Sequence, residues 1–244
     1  MLDNRYYAIP IFSNEWWINN TITLLCVVFI LFISNLLYKK NNLRIFNYCI
    51  GIILLLRILW NQWYQYEIGQ WNAEWSLPIQ MCSFSSIFSG LILITHNLNI
   101  NKKYKFLLFE FLLYWSIGAF YAFLTPVYTS GAEGFIYYDY YVSHGGILFV
   151  IIYCQMFLGY SPRKKSWLKI FLYSQPILVI IHIINIIIGG DANYFYTLKP
   201  PIADNPLIMG TYPTHIIILD LFAGIHFYFL YLLLYRRTNH LKSN

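Results

Sequence analysis

The stretch from Ser76 to Ser86 brings together side chains that could carry nucleophilic chemistry. It reads Ser-Leu-Pro-Ile-Gln-Met-Cys-Ser-Phe-Ser-Ser and opens an apolar run that continues to about His96. Ser76 suits an N-cap and Pro78 suits a first helical turn, so we expect a helix here with Cys82 about two turns in. The positive end of the helix dipole favours a thiolate, the nucleophilic form of cysteine. We interpret Cys82 as the nucleophile, and a buried structural thiol is the alternative.

A histidine supplies the matching base. A Gly- and Tyr-rich segment, 127–143, is interpreted as a loop that ends in Ser143-His144-Gly145-Gly146. Ser143 is expected to cap the next helix, which would place His144 in its first turn. The field at a helix N-terminus disfavours imidazolium, so His144 would stay neutral and able to accept a proton. An interfacial histidine that ends a helix is the alternative.

Ionisable residues inside apolar runs need partners, because an unpaired charge at membrane depth costs several kcal/mol. Arg57 and Asp220 lie at similar predicted depths in two such runs. We therefore predict an ion pair between them. It would either bind a substrate headgroup or only hold two helices together.

Further polar residues are expected near the same membrane face. Gln80 and Ser86 flank Cys82 and could support it or donate to an oxyanion. Five others lie around the long segment after residue 189. Either of two asparagines could orient the imidazole or donate to the oxyanion, a lysine could contact a lipid phosphate, and a tyrosine and a histidine could contact substrate; these are Asn185, Asn193, Lys199, Tyr194 and His215.

The composition places these groups in a membrane. The chain has 244 residues, of which 59% are hydrophobic and 11% are charged, against roughly 25% charged residues in soluble domains. Runs of about 20 apolar residues can cross the hydrocarbon as helices. We predict one all-α bundle in a single transmembrane domain, 1–244, with seven spans at about 18–38, 44–66, 77–97, 104–126, 144–160, 167–189 and 212–235.

The basic residues predict the orientation. One alternating set of inter-span segments holds thirteen Lys and Arg residues, whereas the other holds only Arg5 and Lys199. Since cytoplasmic loops keep basic residues, we expect the N-terminus outside, the C-terminus inside and the protein in the plasma membrane. Topology thus accounts for the net charge of +6 without nucleic acid. The four cysteines have no metal or disulfide spacing, and we expect no metal and no cofactor.

Three motifs in order resemble a known family. Leu77-Pro78-Ile79-Gln80-Met81-Cys82, His144-Gly145-Gly146 and Asn193-Tyr194-Phe195-Tyr196-Thr197-Leu198-Lys199-Pro200 are similar to signatures of the YwaF-like bacterial integral membrane proteins. That family resembles the eukaryotic transmembrane protein 164 group, described as cysteine-dependent acyltransferases acting on phospholipids. The likeness spans roughly residues 45–235. It implies that Cys82 and His144 are the catalytic cysteine and histidine, and Gln80 stands where many relatives have histidine.

The favoured hypothesis is acyl transfer through a thioester on Cys82, with His144 as base and a phospholipid or lysophospholipid as substrate. Water as acceptor would make the protein a hydrolase. A small-solute transporter or a non-catalytic lipid-binding protein is the alternative, since intramembrane ionisable residues also mark transport paths. A structural scaffold is a third hypothesis.

Overall fold

The computed structural model describes residues 6–201 and 210–243, with side chains described through residue 235. Arg5 and the side chains of Arg236, Arg237 and Lys242, which entered the charge count, lie outside this part. The helices are α1 (Asn14–Lys39), α2 (Leu43–Glu67), α3 (Met81–His96), α4 (Lys102–Trp115), α5 (Ile117–Leu124), α6 (Phe135–Phe157), α7 (Ser166–Ile188) and α8 (Thr214–Ser243). Two short strands, β1 (Tyr7–Ala8) and β2 (Val127–Tyr128), pair antiparallel.

The membrane prediction is confirmed in its general form. Within the described residues, six helical stretches are long and apolar enough to cross a bilayer. They are α1, α2, α4 with α5 as one stretch, α6, α7 and the part of α8 up to Tyr235. The predicted third span, 77–97, is instead the 16-residue helix α3, about 24 Å long. The protein is therefore a multi-pass helical membrane protein in which α3 is shorter than its neighbours.

Side-chain contacts show that three pairs of neighbouring helices run antiparallel. Arg57 of α2 contacts Ser86 of α3, while Gly51 lies against Gly90, so these two helices run antiparallel. Aromatic contacts set α3 antiparallel to α4, and a hydrogen bond from Gln175 to Asp220 joins antiparallel α7 and α8. α3 thus runs through the middle of the bundle in the direction of a span.

Glycines allow the closest helix contacts, because a side chain there would meet a neighbouring backbone or methyl group. A Cβ on Gly90 would lie 2.9 Å from the carbonyl oxygen of Gly51. A Cβ on Gly145 would lie 2.7 Å from Thr23 of α1, and one on Gly146 3.1 Å from Leu54 of α2. The two glycines after His144 therefore seat α6 against α1 and α2.

At the end of the bundle where α3 finishes, buried polar contacts hold the chain together. Glu110 is fully buried and accepts hydrogen bonds from the backbone and guanidinium of Arg163 at 2.7–3.0 Å. His96 lies 3.3 Å from the hydroxyl of Tyr160. The buried carboxylate of Glu110 is tolerated because Arg163 pairs with it. This ion pair therefore holds the segment just before α7 against α4.

Two predicted helix starts are wrong. α3 begins at Met81, and Ser76 does not cap it but donates a hydrogen bond to Gln65 of α2 at 2.6 Å. α6 begins at Phe135, which makes the second half of the predicted loop helical and places His144 in the third turn. Ser143 consequently caps nothing, and the helix-terminus argument for a neutral His144 does not apply.

Candidate active site

A cavity of about 780 Å³ opens at the end of the bundle where α3 begins. At this end of the bundle α2 continues further than α3 does. The difference leaves space next to the first turn of α3. Seven of the eleven predicted site residues line the cavity, namely Arg57, Gln80, Cys82, His144, Asn193, Lys199 and Asp220. Ser86, Asn185, Tyr194 and His215 do not line it.

Cys82 is the second residue of α3 and is half-buried in the cavity wall. Its position, in the first turn and not two turns in, brings it closer to the positive end of the helix dipole. A Cβ on Gly118 of α5 would lie 3.0 Å from its sulfur, so this glycine makes space for the thiol. The first hydrogen bond within α3 runs from the N–H of Phe84 to the carbonyl of Gln80, and the N–H groups of residues 81–83 precede it.

His144 is held in one tautomer. Its Nδ1 lies 2.6 Å from the carbonyl oxygen of Tyr140, one turn earlier on α6. A carbonyl only accepts, so Nδ1 carries the proton and Nε2 of the neutral ring is left as an acceptor. The side chain is 8% exposed and lines the same cavity as Cys82. His144 thus has the protonation pattern that a general base requires.

The predicted ion pair between Arg57 and Asp220 is wrong. Arg57 pairs with Asp139 of α6 at 2.6 Å, and Asn61 donates to the same carboxylate at 2.7 Å. Asp220 instead accepts a hydrogen bond from Gln175 at 3.1 Å. The two sequence depths were similar, but depth does not determine which helices are neighbours.

Arg57 connects the helices that carry the two catalytic candidates. Its Nη2 donates to Ser86, one turn after Cys82, at 2.8 Å, and to Ser143, next to His144, at 3.1 Å. Because one planar guanidinium contacts both helices, it fixes α3 against α6. Through its bonds with Asp139, Ser86 and Ser143, Arg57 positions α3 and α6 relative to each other.

The segment after α7 is tied down by residues that were expected to contact substrate. Asn185 donates to the Tyr194 carbonyl and to Thr197, and accepts from the Tyr194 N–H, at 2.8–2.9 Å. Asn193 bonds the backbone of residues 198 and 199 with both its oxygen and its nitrogen. Both asparagines therefore hold this segment, and a role for either in orienting the imidazole or donating to the oxyanion stays a prediction.

The same segment is joined to the start of α3. Tyr194, fully buried, donates to the Ala73 carbonyl at 2.7 Å and accepts from the Leu77 N–H at 2.9 Å. Gln80 accepts from the N–H of Phe195 at 2.9 Å. Tyr194 and Gln80 thus position α3, whereas Tyr194 was expected to contact substrate.

Tyr196 is a cavity residue that the sequence did not reveal. Its backbone has a φ of 54° and follows Phe195 at 55°, and two successive left-handed residues without glycine are strained. Nε2 of His215 donates to the Tyr196 carbonyl at 2.9 Å, which is the role of His215 here. Burial, and then the negative charge that nearby Cys82 would carry, raise the pKa of Tyr196 to about 12. Its hydroxyl therefore stays protonated at neutral pH and can donate a hydrogen bond.

Lys199 lies at the mouth of the cavity and is 60% exposed. It pairs with Asp191 at 3.1 Å, and an exposed pair of this kind contributes little to stability. Lys199 is therefore free to exchange this partner for another anion.

A second histidine on the cavity wall was also missed. His226 of α8 and Tyr121 of α5 both line the cavity and form a hydrogen bond of 3.0 Å. The available signal was an ionisable residue fourteen positions after the start of the last apolar run, 212–235. Asp139 could likewise have been found from its spacing with Ser143, four residues later, if the segment had been recognised as helical.

Comparison with known proteins shows the family. The model of the TMEM164 family matches residues 11–231, nearly the whole length of the chain, and the chain therefore belongs to that family. A comparison with curated proteins and one with solved structures give no match.

Proposed function

We propose that this member of the TMEM164 family is a cysteine-dependent acyltransferase that acts on phospholipids. The observation that carries the proposal is that Cys82, in the first turn of α3, and a Nδ1-protonated His144 line one cavity in a membrane bundle. A thiol needs a base and an electropositive setting to become a nucleophile. We propose His144 as the base and the N-terminus of α3 as the electropositive setting.

The reaction proceeds through a thioester. Nε2 of His144 takes the thiol proton, and the sulfur attacks the carbonyl carbon of a lipid ester. The ester C–O bond breaks and the departing alkoxide takes the proton from His144, which leaves the acyl group on Cys82. An acceptor hydroxyl, such as that of a lysophospholipid, then collects the acyl group.

Two sets of donors are available for the negative oxygen of the tetrahedral intermediate. The N–H groups of residues 81–83 begin α3 without an acceptor in that helix, and the Tyr196 hydroxyl is protonated at neutral pH. Donors held in place before the reaction stabilise such an oxyanion most effectively. Lys199 is a ligand for a lipid phosphate at the cavity mouth.

The membrane placement extends the same proposal. α3 runs antiparallel to both of its neighbours, and we infer that it makes the seventh crossing. The basic segments 39–44, 102–105 and 163–169 lie at the other end from the cavity, which supports the proposal that the cavity faces the outer leaflet of the plasma membrane. The three sequence motifs support assignment to the YwaF-like bacterial branch of the family.

The test is acyl transfer by purified protein in mixed micelles of a diacyl phospholipid with deuterated chains and an unlabelled lysophospholipid. C82A is expected to abolish transfer and covalent acyl labelling, and H144Q is expected to lower both by about a hundredfold or more. C154A is a matched control, because Cys154 is a buried thiol elsewhere in the core. Full transfer by C82A would refute the mechanism, and binding without labelling of the wild-type protein would indicate a carrier instead.

A further inference from the structure

The cavity contains a second imidazole with the same internal geometry as His144. Nδ1 of His226 lies 2.7 Å from the carbonyl oxygen of Phe222, one turn earlier on α8. Nδ1 therefore carries the proton, as it does in His144, and Nε2 is an acceptor. The Tyr121 hydroxyl lies 3.0 Å from this Nε2, which makes Tyr121 the donor in that hydrogen bond.

Tyr121 lies on α5, the helix that packs against the Cys82 thiol. Tyr121 lies three residues after Gly118 on α5, and residues three apart share a helix face. Gly118 is the residue that makes space for the Cys82 sulfur, 3.0 Å from where its Cβ would be. Tyr121 and His226 thus line the cavity that Cys82 lines, from the wall formed by α5 and α8, whereas His144 lines it from α6.

We propose that Tyr121 and His226 form a second proton-transfer site that serves the acyl acceptor, separate from the Cys82 and His144 site that forms the thioester. Tyr121 contacts the acceptor hydroxyl and is the catalytic residue. His226 acts through Tyr121 and is a positioning residue that also stores the proton. The acceptor is an alcohol, as in a lysophospholipid, and this inference rests on the proposed function.

In the second half of the reaction, the acceptor hydroxyl attacks the thioester on Cys82. The acceptor proton moves to the Tyr121 oxygen while the Tyr121 proton moves to Nε2 of His226. The acceptor oxygen bonds to the thioester carbon, and the C–S bond breaks to release the Cys82 thiolate. The proton returns from His226 through Tyr121 to that sulfur, so the enzyme ends in its starting state.

An activated ester allows thioester formation and transfer to the acceptor to be measured separately. 4-Nitrophenyl decanoate acylates a thiol without needing a proton for its leaving group, so a burst of nitrophenolate measures thioester formation. The steady rate after the burst, in micelles containing lysophosphatidylcholine, measures transfer to the acceptor. Wild-type protein is expected to show a burst and a steady rate that rises with lysophosphatidylcholine.

Y121F and H226Q are expected to keep a burst but to lower the steady rate about a hundredfold, so that acyl-enzyme accumulates in intact mass spectra. Hydroxylamine, a strong nucleophile that needs no base, is expected to restore turnover in both variants. A purely structural hydrogen bond between α5 and α8 would not be bypassed by hydroxylamine. H144Q is expected to lose the burst itself.

Matched controls are Y138F and H182Q, because Tyr138 is 69% exposed and neither residue lines the cavity. A wild-type steady rate in Y121F and H226Q, or a burst lost together with the steady rate in Y121F, would overturn this inference. Absence of a burst in the wild-type protein, or a burst that persists in C82A, would refute the proposed function instead.

Discussion

Arg57 carries a charge that is 10% exposed, beside an Asp139 side chain that is 7% exposed. Removing one member of such a pair leaves the other buried without compensation, which costs about 3–5 kcal/mol. We expect D139N to lower the thermal midpoint in detergent more than the apolar pair R57M/D139L does. The double variant restores packing but removes the bonds to Ser86 and Ser143, so its acyl-transfer rate should stay low.

The comparison of these two variants shows whether Arg57 aligns α3 with α6 for the reaction or only stabilises the fold. Thermal unfolding reports the ion pair, and the rate reports the alignment of α3 with α6. If R57M/D139L transferred acyl groups at the wild-type rate, the cluster would be structural only. K199M is a control for charge, because Lys199 is exposed and its loss should leave the thermal midpoint unchanged.

The individual side chains illustrate what residue type can predict. Cys82 and His144 were selected because few other residues could perform the chemistry, and the structure puts both on the cavity wall. Partner choice was not predictable, since Asp139 falls in a segment that the sequence predicts to be a loop, and only the helix that forms there brings it to Arg57. Asn185 and His215 donate hydrogen bonds to backbone carbonyls of the segment after α7, and these bonds account for their polar side chains. Most side-chain hydrogen bonds in proteins go to backbone or water, so a buried polar residue does not by itself indicate a ligand site.

The crossing of α2 and α3 determines where Ser86 meets Arg57. A Cβ at position 90 would lie 2.6 Å from the Leu55 side chain and 2.9 Å from the Gly51 carbonyl. We expect G90A to lower stability by about 1–3 kcal/mol, because the helices must separate, and to lower the transfer rate with it. Thermal unfolding and the transfer assay measure the two effects.

A second variant tests which contact matters at this crossing. In L55A/G90A the side-chain clash is removed while the backbone clash stays, so most of the stability loss should persist. Full recovery in the double variant would show that Leu55 alone limits the approach. G224A is a control, since its Cβ would be 3.2 Å from Phe171 in the contact between α7 and α8.

Helix existence was predictable from the apolar runs, but helix starts were not. The sequence predicts a loop over residues 127–143 because that segment is rich in glycine and tyrosine. The helix forms there because tertiary contacts favour it, including Asn19 of α1 bonding Tyr137 and Arg57 bonding Asp139. Similarly, Ser76 and Pro78 looked like a helix start, but hydrogen bonds to Gln65 and Tyr194 hold residues 72–77 in a non-helical turn.

The charge asymmetry predicts how the whole protein sits in a cell. We expect E67C, at the cavity end of α2, to react with a membrane-impermeant maleimide on intact cells in a background without native cysteines. K40C, at the opposite end of the bundle, should react only after the membrane is permeabilised. Glu67 and Lys40 are both exposed, so accessibility within the protein does not differ. Labelling in the reverse pattern would place the cavity on the cytoplasmic side.

The architecture could be predicted further than the site. Apolar runs of spanning length require helices, so a multi-pass helical bundle follows from the sequence directly. The cavity could not be predicted, because it depends on α3 being shorter than α2 and on the segment 189–199 folding over it. Such features arise from contacts between distant parts of the chain, as in the bonds from Tyr194 to Ala73 and Leu77.

The short α3 also relates the proposed reaction to the thickness of the bilayer. Cys82 lies one turn beyond Ser86, and α2 continues ten residues beyond Arg57, so the sulfur is about 9 Å below the end of α2. Lipids of ordinary length hold their glycerol esters near the edge of the hydrocarbon, above that depth. Longer chains would raise the esters away from the sulfur, and shorter chains would bring them towards it. Hydrophobic mismatch would then select among lipids that share one headgroup.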